Sequence, residues 1–213
     1  MRQSRIFSVA LMLFLLSPSY MVAQNTPFTQ MERLDRGVVA LPAQDKGIFI
    51  SWRLLGTDPS TTYFDVERNG KVIAQHLRLT NYTDKKGTLK DVYRIITYQQ
   101  EPKMDASAKR EVSREVKPWA DLYKSLPINR PQGGVSPDGR SYTYAPNDCS
   151  VGDVDGDGEY ELIVKWDPSN SHDNSHDGYS GDVIFDCYKL DGTQLWRINL
   201  GKNIRAGAHY TQF

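Results

Sequence analysis

Between positions 153 and 161 the chain reads Asp-Val-Asp-Gly-Asp-Gly-Glu-Tyr-Glu, so five carboxylates fall on alternate residues with glycines among them. Fully ionised, they repel one another, and such a loop calls for a cation. A hard ion such as calcium takes roughly six to eight oxygen ligands from carboxylates, carbonyls and water. Glycine permits the sharp turn that wraps the chain around it. Asp153, Asp155 and Asp157 take the first, third and fifth places, Glu159 offers its backbone carbonyl at the seventh, and Glu161 closes the shell at the ninth. An EF-hand is excluded, because a strand-like run, YELIVKW at 160–166, begins at once where a helix would be needed. No cysteine or histidine interrupts the loop, which argues against zinc. The bland alternative is a solvated acidic turn. The specificity of D-x-D-x-D-G with a trailing acid favours calcium, held as a structural staple.

The surrounding segments read as β structure. Residues 47–55, GIFISWRLL, have the length and alternation of a strand. Residues 61–75 form a hairpin whose Asn69-Gly70 pair suits a type I′ turn, and 91–99 are a further strand. Turn signals recur about every ten residues, the spacing of a small β-sandwich, with Trp52 as its core aromatic. The charged stretch 101–117 is expected as an edge strand or linker, the turn-rich stretch 131–148 as a connection, and the domain boundary near 115–120. From Tyr142 onward the order is acidic loop, strand, second strand, the tight turn Leu190-Asp191-Gly192-Thr193, and third strand, which is the order of a propeller blade. One blade cannot close a ring, so the chain is expected to be the N-terminal piece of a longer protein. Lys165 is polar inside an apolar strand and points either to a central channel or outward by simple alternation. Trp166 is expected in the core, with stacking on a sugar as the alternative.

Arg2 and Arg5 precede an apolar run, 6–16, followed by Ser17-Pro18-Ser19 and a small residue, Ala23, before Gln24. Residues 1–23 are therefore expected to be a secretory signal, too short to span a bilayer, and the mature protein to be secreted, periplasmic or on the cell surface, with no membrane segment. The two cysteines, Cys149 and Cys187, form either one disulfide or two buried thiols. Across 213 residues, 26 Lys and Arg balance 26 Asp and Glu, so bulk charge gives no support for nucleic-acid or membrane-surface binding. Twelve Tyr, 4 Trp and 7 Phe make the chain too aromatic for a disordered one.

The stretches MERLDRGVVAL (31–41), FISWRLLGTDP (49–59), YAPNDCSVGDVDGDGEYELIVKWDPSNSHDNS (144–175) and YKLDGTQLWRINLGKNIRAGAHYTQF (188–213) together resemble the N-terminal part of rhamnogalacturonan lyases of polysaccharide lyase family eleven. The resemblance implies an all-β protein: a fibronectin type III-like sandwich over 28–117, then over 118–213 the first part of a calcium-binding, eight-bladed β-propeller. It implies β-elimination on the rhamnose–galacturonate backbone of pectin, with rhamnogalacturonan I as partner, Ca2+ as cofactor and a monomer as the working form. By resemblance Asn147 and Asp167 face sugar, while Asp148 joins the calcium shell. The corresponding bland readings are an Asx turn for Asn147-Asp148 and a cap on the turn at Pro168 for Asp167. On that view Lys165, Arg205 and His209 are further substrate-binding candidates, Arg205 and His209 for a uronate carboxylate, with His209 as a base or metal ligand, or an ordinary inter-blade connection, as the alternatives. His172 and His176 are candidates for a second metal or a uronate, with a solvated loop as the alternative. The competing reading of the whole is a non-catalytic carbohydrate-binding or adhesive calcium-loop module.

Overall fold

The computed structural model describes residues 32–99, 109–173, 175–207 and 213; the expected signal sequence and His209 lie outside them. Every regular element among the described residues is a strand, and every pairing is antiparallel.

The first seven strands are β1 (Val39–Pro42), β2 (Ile48–Ser51), β3 (Tyr63–Arg68), β4 (Lys71–Leu77), β5 (Asn81–Asp84), β6 (Tyr93–Gln99) and β7 (Lys109–Val112). They make a three-stranded sheet in the order β1-β2-β5 and a four-stranded sheet in the order β4-β3-β6-β7. Asn69 and Gly70 carry φ of 50° and 76°, the left-handed pair that a two-residue β3–β4 connection needs. Alternation puts Ala40, Ile48 and Ile50, with Trp52 just beyond β2, against Phe64, Val66, Tyr93 and Ile95 from the other sheet, so the two sheets share one core. Trp52 meets Phe64 edge to face at 5.4 Å. The expected strand at 47–55 is shorter than its apolar pattern, because the chain leaves the ladder after Ser51. The charged stretch after 101 does supply an edge strand, β7, clamped by Glu111 to Arg36. Arg36 in turn holds Asp58 in a bidentate pair with both side chains fully buried.

The remaining strands are β8 (Gly134–Val135), β9 (Ser141–Tyr142), β10 (Tyr144–Gly152), β11 (Glu161–Pro168), β12 (Ile184–Tyr188) and β13 (Gln194–Asn199). The last four form a meander in the order β10-β11-β12-β13. The stretch 131–148, expected only to connect, in fact contributes the β8–β9 hairpin and half of β10. Pro146 and the Asn147-Asp148 pair disguise β10 as a turn. The edge position tolerates a proline, and a bulge between Pro146 and Cys149 absorbs the two polar residues.

Both faces of this sheet are covered. Val164, Trp166, Ile184 and Tyr188 pack with Tyr144, Leu126 and Ile128 on one side, and Val183, Phe185 and Ala206 with Ile163, Trp196 and Leu200 on the other. That explains why β12 is buried along its whole length instead of alternating. Trp166 is a core residue, 1% exposed. Cys149 is exposed and Cys187 buried, and both are free thiols.

Beneath Trp166 lies a buried carboxylate. Asp186 accepts from Trp166 Nε1 (2.7 Å), Tyr188 Oη (2.6 Å), and Nε and a terminal nitrogen of its cross-strand partner Arg197 (both 2.7 Å). Tyr188 Oη accepts from the Asn129 amide, Arg197 donates to the Asn129 carbonyl, and the Asn129 side chain donates to Gln194, so the network pins the incoming segment to the sheet. Burial alone would push the Asp186 carboxyl up, but the hydrogen bonds from Arg197, Tyr188 and Trp166 outweigh it and hold it below the ordinary carboxylate value. Asp186→Ala leaves four donor groups, from three residues, without their acceptor and is expected to cost about 2–4 kcal/mol in urea denaturation. Because the folded-state value is depressed, the contribution is complete above the unfolded carboxylate range and is lost as pH falls through the folded value. Unfolding midpoints measured in steps from pH 7 downward should therefore converge for the wild type and Asp186→Asn.

Candidate functional site

The acidic loop joins β10 to β11 and turns on Gly156 and Gly158, with φ of 78° and 90°. It gathers carboxylate oxygens of Asp153, Asp155 and Glu161 within 4.8 Å of one another. Each is aimed by backbone amides: Gly158 N–H on Asp153 Oδ2 (3.1 Å), Asp157 N–H on Asp155 Oδ1 (3.2 Å) and Val154 N–H on Glu161 Oε2 (2.8 Å). Glu161 is 1% exposed, and Asp153 Oδ1 is buried with no hydrogen-bond partner. An orphaned carboxylate oxygen beside two further carboxylates fits a hard cation, which would supply the missing partner.

The other three expected ligands stand apart from this cluster. Asp157 accepts from Lys189 Nζ (2.8 Å), which also meets Asp155 at 2.5 Å. The Lys189 hydrogen bond leads the effects that hold Asp157 below its usual value, and the bonds to Asp155 and Asp157 raise Lys189 in turn. The Glu159 carboxylate pairs with Arg114 at 3.1 Å, which leaves only its backbone carbonyl for the role expected of it. Asp148 sits in the β10 bulge, 3.8 Å from the ammonium of Lys165.

The loop is also held from the first sheets, a feature the sequence reading missed. Asp35 N–H donates to the Gly158 carbonyl (2.8 Å), Glu32 accepts from Asp153 N–H (2.9 Å), Arg114 donates to the Asp157 carbonyl (2.6 Å), and the Arg53 guanidinium lies 4.5 Å from the Tyr160 ring centre. The signal was local charge balance: a loop so acidic needs basic neighbours, but sequence does not say which.

Lys165 is fully buried, so it does not alternate outward into solvent. Asn147 is exposed in the bulge, and Asp167 lies two residues beyond Lys165 on β11. Asp167 Oδ2 accepts from Ser171 Oγ (2.8 Å), while its Oδ1 is buried without a partner. Arg205 is brought back to the loop after β11: its backbone bridges Asp182, and its guanidinium meets His172 Nε2 and the His176 carbonyl. The other His172 nitrogen lies 2.9 Å from the Asn170 carbonyl, which only accepts, so Nδ1 carries the proton and Nε2 accepts from Arg205. With both nitrogens engaged, His172 acts as a support for Arg205. Asn170, also overlooked in the sequence, staples the region: its side chain donates to Ser136 Oγ (2.8 Å) and accepts from Gly181 N–H (2.9 Å).

Residues 29–114 match the family described as Rhamnogalacturonan I lyases beta-sheet domain, and residues 123–213 match Rhamnogalacturonan lyase family 11, C-terminal domain. The chain is 52% identical over 216 residues to the rhamnogalacturonan endolyase YesW of Bacillus subtilis (strain 168), spanning 100% of this chain and 34% of that protein. It is also 52% identical, over 186 residues, to the exolyase YesX of the same organism, spanning 86% of this chain and 29% of YesX. The crystal structure of rhamnogalacturonan lyase YesW superposes with a TM-score of 0.78 at 55% identity, over 86% of this chain and 30% of that one. The chain thus spans about a third of the length of the curated relatives it matches. The two family descriptions follow one another along the chain, so over residues 29–114 and 123–213 it is similar to rhamnogalacturonan lyases, the second stretch to those of family 11.

Proposed function

We propose that this chain is part of a rhamnogalacturonan lyase that cleaves the rhamnose–galacturonate backbone of pectin by calcium-assisted β-elimination. The observation that carries the reading is 52% identity, maintained along the chain, to both an endolyase and an exolyase of that polymer. In this reading the sheets of 28–117 are the fibronectin type III-like domain, and 118–213 opens an eight-bladed propeller. The protein is a monomer, exported by residues 1–23 and secreted, periplasmic or held at the cell surface.

The reaction removes the C5 proton of galacturonate, which lies α to a carboxylate, and expels the C4 oxygen to leave an unsaturated uronate. Neutralising the uronate charge acidifies that proton, and a base then takes it. Bound calcium supplies charge neutralisation in such chemistry and, at the acidic loop, a structural link between carboxylates. Asp153, Asp155 and Glu161 hold it there through their carboxylates and Glu159 through its carbonyl. Asp148 and Asp157 would be its further ligands. Asn147 and Asp167 bind sugar hydroxyls beside Lys165, and Arg205 and His209 bind a uronate carboxylate. The orphaned Asp167 Oδ1 supports its role, since a sugar hydroxyl would satisfy it.

Incubated with rhamnogalacturonan, the intact protein that contains this chain is expected to raise the ultraviolet absorbance of the unsaturated uronate in calcium and not in chelator. Sugar binding with no rise in either condition would instead make it a non-catalytic carbohydrate-binding module. Asp155→Asn is expected to lower the melting temperature by about 5–10 °C at calcium a hundredfold above its dissociation constant, and to change little in chelator. Equal loss in both conditions would remove the ion from the loop.

A further inference from the structure

Arg205 lines a cleft of about 530 Å³ whose other lining residues the preceding reading leaves unused. Its apolar lining comes from Val135 and Pro137 of the β8–β9 hairpin and Tyr179 of the loop before β12. Val135 is 66% and Tyr179 55% exposed, a large apolar presentation for two neighbouring residues. Lys202 and Arg205 line it as well, together with Asp182, whose carboxylate accepts from Asn199 Nδ2 (2.9 Å). Among the described residues Lys202 forms no ion pair, and the Nε of Arg205 is buried without a partner.

The walls are preset. Asn170 ties the hairpin to the Tyr179 loop through Ser136 Oγ and Gly181 N–H. Ser180 Oγ accepts from Ala206 N–H (3.1 Å), and Tyr144 Oη donates to the Asp182 carbonyl (2.9 Å), fixing the loop to the segment that carries Arg205. A cleft so braced binds without first ordering its own walls.

We propose that this cleft is a polysaccharide subsite that reads the alternation of the backbone: Tyr179, Val135 and Pro137 take the methyl-bearing face of a rhamnosyl residue, and Lys202 with Arg205 takes the carboxylate of the adjoining galacturonate. The assignment rests on the rhamnogalacturonan reading for the identity of the sugar. A lining that combines apolar side chains with two cations suits a polymer in which a deoxy sugar alternates with an acid. A chain of uronates alone would meet the same cations but leave Tyr179 and Val135 against polar or charged groups.

The test uses the intact protein and two probes of equal length, a rhamnogalacturonan oligosaccharide and a homogalacturonan oligosaccharide, titrated by calorimetry, with KM and kcat on the polymer measured alongside. Wild type is expected to bind the rhamnose-containing probe about tenfold more tightly. Tyr179→Ala should reduce that preference to about twofold, and Lys202→Ala should weaken both probes about fivefold. Both should raise KM with little change in kcat and an unchanged melting temperature, since both side chains stand at the surface. Unaltered preference in Tyr179→Ala, or unaltered binding in Lys202→Ala, overturns the subsite even if the wild type proves to be a lyase. If the wild type cleaves nothing, the lyase reading fails, while the two titrations still decide whether the cleft binds this sugar pattern.

Discussion

Mutual repulsion of carboxylates in one short loop is the constraint around which this structure is arranged. With oxygens of Asp153, Asp155 and Glu161 within 4.8 Å, each ionised pair costs roughly 3 kcal/mol at an effective dielectric near 20. The chain answers with cations from both sides: Lys189 from the end of β12, and Arg114 from just beyond β7. Backbone amides inside the loop supply further positive ends. The same contacts hold the first two sheets to the β10–β11 turn, so the electrostatics of one loop and the docking of distant strands are a single problem. An ion bound among the three carboxylates would share its counter-charge with Lys189, which already meets Asp155 and Asp157.

A second buried charge solves a different problem. Asp186 faces no cation pool; it is satisfied by a fixed set of donors from β11, β12 and β13, and through them it fastens Asn129. A buried ion pair is seldom a large net source of stability. Here it specifies where the segment entering the sheet must lie, because Asn129 is reached through its amide, its carbonyl and its side chain.

What could be read in advance follows from how local each signal is. Asn69-Gly70, the 160–166 strand and the Asp191-Gly192 turn were legible because a few adjacent residues settle their backbone. The acidic loop was legible as a cluster of carboxylates for the same reason, and Asp153, Asp155 and Glu161 do converge. Lys189, Arg114 and Asn170 were not, since their partners come from 32 residues away for Lys189 and Asp157, 43 for Arg114 and Asp157, and 34 for Asn170 and Ser136. β10 was obscured because its polar residues occupy a bulge, where alternation breaks, and because Pro146 reads as punctuation. Lys165 was ambiguous because a period-two pattern tells only which face a side chain takes; that both faces of this sheet are covered becomes visible only in three dimensions.

The edge strand β10 carries a proline and a two-residue bulge on the rim of an otherwise regular meander. Pro146 has no amide proton to offer a passing strand, and the bulge breaks the even ladder that such a strand would need. Sideways growth of the sheet is thereby blocked along that rim, while its broad faces remain shaped for packing. Partly folded forms that expose such a rim stay recoverable, because it cannot template fibre growth.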